Sequence, residues 1–462
     1  MTIVVVTWWI LFLDYRGHTN TNSTLLSDFR ENYFNELINT IEDEKFVSRS
    51  RSEDGGKGFT RDRKIHFTHL IVLLTQGLTR SIQRELNSFY QKVRGGDFSI
   101  QHVTKGAFTQ ARAKLRPSAF VELNQVGIRS FYRDAPYRTW KGFRLVAIDG
   151  STVVLPKHKS IIEEFGVTNF GPYADTPRSV ARMSMLYDVL NLTTLDGQID
   201  KYDTSERELA REHFDTIEPG KDLLLLDRGY PSLPLMFELQ QRGIHYCVRM
   251  REDWWLEVRR MIAAGEKDKI VTFRLPDKDK ALLKQYNTTN DKIKCRFVVV
   301  DLPDGGTEVL CTSVLDKEIL PYECFATLYH YRWNIEEGYK LYKCRIQLEA
   351  FSGKTANAVK QDFFAKIFMM TTTAVLAFPI EEKIKQEQQE SQRKHPSKIN
   401  RTNALSMVKE ISSSILIDKM IKPALHAFDK FLKLTTEIIR PNRKFPRKKL
   451  KKKPPSMNYK QL

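Results

Sequence analysis

Two four-residue apolar runs, residues 145–148 (LVAI) and 223–226 (LLLL), limit what this chain can fold into more than any other feature. They are too short for core helices and show no polar alternation, so each reads as a strand buried on both faces. Around them lie strand-like stretches at 152–155, 183–192, 197–202 and 244–248, and helix-like stretches from Ser205 (SERELAREHF) and from Leu233. Strands alternating with helices predict an α/β sheet with some parallel pairing. Each run ends in an acid, Asp149 and Asp227, with a glycine within two residues. A carboxylate just past a buried strand is held rigidly at the sheet edge, where α/β proteins build their sites. A nearby glycine lets backbone or ligand come close. Strand-end aspartates also cap turns, so neither acid alone specifies a function.

The alternation stops between residues 251 and 315. VTFRLP, KCRFVVVDLP and EVLCTSVL read as strands separated by turn signals, which predicts an all-β insert. Helical periodicity returns at Pro321 and recurs over about 360–380 and 403–438. Ahead of the sheet, apolar residues at helical spacing (Phe67, Leu70, Ile71, Leu74; then Ile82 and Leu86; then AFTQARAKL) predict a helical DNA-binding domain at 57–138. It is rich in basic residues, among them Arg61, Arg63, Arg84, Lys105, Arg112 and Arg116. Short basic helices suit a DNA surface, and a solvated basic face is the alternative. Residues 1–56 read as a poorly ordered extension, because 14–56 are polar and end in SRSRSEDGG. The apolar run 3–13 is too short to span a bilayer and lacks the flanks of a signal peptide. The expected division is therefore 139–250 and 316–385 as two parts of a catalytic domain, 251–315 as its insert, and 386–462 as C-terminal helices with a basic tail.

The chain carries a formal net charge of +18 over 462 residues, which favours polyanionic partners. Its five cysteines, Cys247, Cys295, Cys311, Cys324 and Cys344, have no zinc-knuckle spacing and form no even-numbered framework, so a reducing cytoplasm is the simplest home. No stretch reads as transmembrane; the apolar run 367–379 is too short.

The segment from Tyr322 to about Leu348 reads as one long helix. Tyr329, Arg332, Glu336 and Lys343 are spaced 3, 4 and 7 apart. At about 100° per residue they fall within about 60° of one another. Tyr331, Ile335, Tyr339, Tyr342 and Ile346 form an apolar stripe centred about 90° away. A helix packed on one side thus presents a phenol, a guanidinium, a carboxylate and an ammonium beside its packed face. Pairing of Arg332 with Glu336 on a solvated face is the plainer reading. Three carboxylates from two strands and a helix, Asp149, Asp227 and Glu336, can hold two divalent cations about 3.5–4 Å apart for in-line attack on phosphorus. Mg²⁺ suits such oxygen ligands, with Mn²⁺ as a substitute.

In these residues the chain resembles the insertion sequence 4 family of bacterial transposases. That family is marked by an Asp, Asp, Glu triad and by Tyr, two residues, Arg, three residues, Glu, six residues, Lys. Tyr329, Arg332, Glu336 and Lys343 match every position, and Asp149 in AIDGS and Asp227 in LLDRGY resemble the first two acids. The resemblance covers roughly residues 59–379. It implies an α/β fold with a ribonuclease H-like catalytic domain interrupted by the β insert, an N-terminal helical domain and C-terminal helices. It implies Asp149, Asp227 and Glu336 as catalytic metal ligands that hold two Mg²⁺ ions, with Tyr329, Arg332 and Lys343 on DNA phosphates. It further implies nicking at element ends, hairpin formation and strand transfer into target DNA by a homodimer on double-stranded DNA, in the cytoplasm at the nucleoid and with no membrane. An inactive DNA-binding relative and a ribonuclease H-like nuclease are the alternatives. In relatives an insert tryptophan stacks on a flipped base; Trp254 and Trp255 are the insert tryptophans here, neither aligned to that role, and Trp333 is expected to be packed.

Overall fold

The structure is a computed structural model that describes residues 25–51, 59, 64–95, 102–169, 177–252, 255–302, 305–391 and 395–440. Its centre is an eight-stranded sheet in the order β3-β2-β1-β4-β5-β8-β7-β6. The strands are β1 (Arg144–Val154), β2 (Val180–Asp188), β3 (Thr194–Lys201), β4 (Asp222–Leu226), β5 (His245–Arg249), β6 (Asp268–Arg274), β7 (Lys292–Asp301) and β8 (Thr307–Thr312). β1 pairs antiparallel with β2 and parallel with β4, and β4 pairs parallel with β5. The two apolar runs are therefore adjacent central strands. Successive residues point to opposite faces. Leu145, Ala147, Leu223 and Leu225 enter one core, and Val146, Ile148, Leu224 and Leu226 enter the other.

Register between β1 and β4 begins with charge. Arg144 opens β1 and Asp222 opens β4, and the two are Cα partners. Arg144 Nε and Nη2 donate to the two Asp222 carboxylate oxygens, both at 2.6 Å, and both side chains are buried. The guanidinium also lies 4.5 Å from the centre of the Tyr132 ring. A bidentate fork of this kind tolerates little sliding.

One core face is closed by the 35-residue helix Ala356–Glu390, which packs on β3 and on the helices Ser118–Asp134, Phe67–Thr75, Leu25–Glu42 and Arg401–Leu416. This helix is long and apolar enough to cross a membrane, yet 94% of its most apolar window is buried against protein. The other face is closed by Leu233–Gln241 and Leu256–Ala264, through Leu235, Met236, Phe237, Val258 and Met261.

Three expectations change here. Within the supposed poorly ordered extension, Leu25–Glu42 and Glu44–Arg49 are helices, and Phe29, Tyr33, Phe34, Leu37, Ile38, Ile41 and Phe46 are buried. Residues 3–13, Arg61, Arg63 and the tail beyond Arg440 lie outside the described residues. The helices of 57–138 do not carry a core of their own; their buried residues belong to the same cluster as the C-terminal helices. Arg112 shows the joint: its guanidinium is buried and donates to Asp362, Gln361, Ser352 and the Ala358 carbonyl, so it is not presented to DNA. The all-β insert also differs. β6, β7 and β8 extend the same sheet through antiparallel pairing of β8 with β5, and the helices Leu256–Ala264 and Ala281–Gln285 lie among them. Strand periodicity reports local extension but not which edge a strand joins.

Removing one partner of a buried ion pair strands the other charge. Asp222→Ala is expected to lower stability by about 3–5 kcal/mol, and a paired Arg144→Met/Asp222→Leu change to recover much of that loss. Urea unfolding of the three proteins measures both.

Candidate active site

β1 does not end at Asp149, as the apolar run suggested, but continues to Val154 along β2. β4 stops at Leu226, so parallel pairing is last seen at Ala147 with Leu225. Asp149 and Asp227 each lie two residues beyond that last pair, and the Asp227 charge acts on the Asp149 carboxyl. Asp227 then turns the chain: its Oδ1 accepts from Gly229 N at 2.7 Å and its carbonyl from Tyr230 N at 3.2 Å. This is the local turn that aspartate forms readily.

The segment expected as one helix is broken. A short 3₁₀ turn, Tyr322–Cys324, leads into helix Phe325–His330; Trp333–Lys340 is a second helix, followed by a π-helical turn, Leu341–Arg345. π turns insert an extra residue and often occur at functional sites. The break shifts the faces, and the four signature residues separate into different environments. Tyr329 is buried and its hydroxyl donates to the Leu226 carbonyl at 3.3 Å, supporting the strand end that carries Asp227. Arg332 is buried, donates to Glu336 at 2.8 Å, and lies over the rings of Tyr329 and Trp333 at 5.7 and 4.8 Å. Glu336 is partly exposed. Lys343 is half-buried in the π turn. Trp333, expected to be packed, is 37% exposed beside Arg332. Trp255 meets the Phe273 ring edge-on at 5.4 Å, and Trp254 lies outside the described residues.

Electrostatics tie these groups together. The Asp149 carboxyl is raised to about 7, first by burial; the Arg332 charge opposes this, and Asp227 and Glu336 add to it. Asp227 and Glu336 thus both act on Asp149, and Arg332 is the counter-charge that Asp149 and Glu336 share. The Tyr339 hydroxyl donates to the Asp149 carbonyl at 2.6 Å and fixes the β1 backbone at this point. Among the described residues, no three His, Cys, Asp or Glu side chains converge into a ready cation cage. The reason is visible at Glu336, whose carboxylate is engaged by Arg332.

Sequence reasoning missed Glu206, Tyr230 and Tyr339. A Cβ added to Gly150 would meet Glu206 Oε1 at 3.1 Å, and one added to Gly229 would meet Asp227 Oδ1 at 3.1 Å and Glu206 Oε2 at 3.9 Å. The glycines after each aspartate were the available signal; what approaches them is a fourth carboxylate.

Comparison with known proteins follows the same residues. Residues 140–372 match the family described as Transposase DDE domain. Transposase InsG for insertion sequence element IS4 of Escherichia coli (strain K12) is 26% identical over 255 residues, 53% of this chain and 54% of that protein. The chain thus matches about half the length of this curated relative. Among solved structures, the piggyBac transposase synaptic complex with hairpin DNA aligns with a TM-score of 0.43 and 10% identity, over 88% of this chain and 85% of that one.

The Asp149 value carries a stability consequence. A folded-state value above the ordinary 3.8 costs nothing at pH below about 4, destabilises increasingly as pH rises to about 7, and is constant above. In metal-free buffer, Asp149→Asn is expected to melt above the wild type at pH 8 and with it at pH 4. Thermal unfolding at the two pH values checks this.

Proposed function

This chain belongs to the Transposase DDE domain family, and on that premise we propose that it is a DNA transposase. It would excise an element at its terminal inverted repeats and join the ends to target DNA. The observation that carries this reading is the placement of Asp149 and Asp227 just past the last parallel pair of β1 and β4, with Asp227 and Glu336 both acting on Asp149. β1 to β5 would be the ribonuclease H-like core, and β6 to β8 the insert between the second acid and the glutamate.

The donor set fits Mg²⁺. It consists of oxygens only, and Mg²⁺ is commonly bound through one or two carboxylates with waters and substrate phosphates rather than by an all-protein cage. Asp149, Asp227 and Glu336 would hold two such ions. When bound, they supply activation of the attacking oxygen and charge stabilisation of the leaving one. Asp149 and Asp227 are preset by strand register, so little reorganisation is needed there. Glu336 must leave Arg332, and a DNA phosphate is the group able to take Arg332 in exchange, because its planar fork fits phosphate as it fits carboxylate. Lys343 would contribute a point charge to the same backbone. Tyr329 would act from below, through Leu226, rather than on phosphate directly. Trp333 offers an exposed aromatic face beside these groups, suited to an unstacked base. Double-stranded element ends and target DNA are the partners, and a homodimer is the expected assembly.

Incubation of the full chain with Mg²⁺ and a labelled fragment carrying the sequences that flank this gene tests the reading. Cleavage at a fixed end position and joining to a second duplex are expected. Asp149→Ala, Asp227→Ala and Glu336→Ala are each expected to lose about 10³-fold or more of the cleavage rate with DNA binding kept. Binding without metal-dependent cleavage in the wild type would leave a DNA-binding relative, and cleavage without joining a nuclease.

Lys343→Ala is expected to weaken binding to all duplex sequences alike and to reduce the slope of log affinity against log salt by about one. A salt titration of the two proteins reads this directly.

A further inference from the structure

Resting on the proposed reading of Asp149 and Asp227 as cation ligands, we infer that Glu206 is a fourth carboxylate of the cation site, acting on the hydrated cation through its water shell with the Tyr230 hydroxyl beside it. Several independent contacts fix Glu206 where it stands. It is the first residue of helix Glu206–Glu212, whose start is set by reciprocal bonds between Ser205 and Glu208. The next residue, Arg207, donates to the carbonyls of Gly229 and Pro231, fastening this helix to the turn that follows Asp227. Arg182 of β2 reaches Glu206 Oε1 at 3.3 Å and is itself held by the Tyr202 carbonyl. Glu206 remains solvent-accessible, with 44% of its side chain exposed.

The two glycines make the approach possible. Gly150 follows Asp149 in β1, and on the strand face opposite the Asp149 side chain Glu206 occupies the space a Cβ there would need. At Gly229, Asp227 Oδ1 and Glu206 Oε2 flank one point at 3.1 and 3.9 Å. The second observation is Tyr230. It is only 1% exposed, and its hydroxyl is buried with no hydrogen-bond partner among the described residues. The charges acting on its phenol are those of Asp149, Glu206 and Asp227, with Arg182 opposing. A buried hydroxyl without a partner is costly, and one on which three carboxylates act suits a polar ligand that carries its own hydrogens, such as a water on a divalent cation. The Arg182 ion pair already engages Glu206 Oε1, which suits Glu206 to the outer sphere. Partners at that distance orient what the direct ligands hold.

Titration of the full chain with Mn²⁺, following free Mn²⁺ by electron paramagnetic resonance, tests the assignment without reference to cleavage. Glu206→Gln is expected to weaken Mn²⁺ binding about tenfold. Glu212→Gln, an exposed change on the same helix, is expected to bind as the wild type does. Tyr230→Phe is expected to weaken Mn²⁺ binding while raising the melting temperature of the metal-free protein, since it removes an unpartnered buried hydroxyl. A purely packing role for Tyr230 would leave Mn²⁺ binding unchanged. If Glu206→Gln fails to fold, Tyr230→Phe decides. Wild-type Mn²⁺ affinity in both Glu206→Gln and Tyr230→Phe, with binding lost in Asp149→Asn, overturns this inference and leaves the proposed site intact. Wild-type affinity in Asp149→Asn overturns the proposed site itself.

Discussion

The bidentate pair of Arg144 and Asp222 is the constraint on which the active end of the sheet depends. It locks the first residues of two parallel strands against each other, and Asp149 and Asp227 each lie five residues further along. Parallel strands advance together at about 3.3 Å per residue. A register set at one end of the sheet is therefore reproduced at the other, some five residues away. Burial makes the lock selective. Both charges are buried, so a slip by one residue would break this fork and set the two acids on opposite faces of the sheet.

At the far end the balance reverses. Asp149 is drawn out of water near two other acids, and one guanidinium, Arg332, serves both Asp149 and Glu336. Arg332 is sandwiched by aromatic rings and tied to Glu336, an arrangement that keeps like charges together at modest cost while no other cation is present. Such local cost is usual where function requires charges to be concentrated. The turn after Lys343 is braced separately. Lys366, from the core helix, donates to the carbonyls of Gln347, Leu348 and Ala350, and Gln347 adopts a left-handed backbone there.

Much of this was legible in the sequence for identifiable reasons. LVAI and LLLL have no polar face, so they had to be central strands, and their terminal acids had to stand at the sheet edge. The pairing of Arg332 with Glu336 was legible from their four-residue spacing. The helix break at Tyr331 and Arg332 was not, because no proline or glycine marks it and tertiary packing decides it. Glu206 was hidden for another reason: an acid in the first turn of a capped helix has a sufficient local explanation. Only the fold brings it to Gly150 and Gly229. The helix Leu25–Glu42 was masked by the polar composition around it, although Phe29, Tyr33, Leu37 and Ile41 repeat at four-residue spacing. The extension of the sheet by β6, β7 and β8 depends on the pairing of β8 with β5, which no local pattern encodes.

The helix Ala356–Glu390 packs against elements from both ends of the chain, from Leu25–Glu42, more than three hundred residues before it, to Arg401–Leu416 after it, and against the sheet's outer strand β3. During synthesis, everything before residue 356 emerges while the surface it will pack against does not yet exist. The amino-terminal helices and one face of the sheet must wait with apolar groups uncovered, so the chain cannot mature piece by piece. A chain cut short of this helix would keep the core of Val146, Leu224 and Val248 but leave the other face of the sheet, with Leu145, Ala147 and Leu223, uncovered.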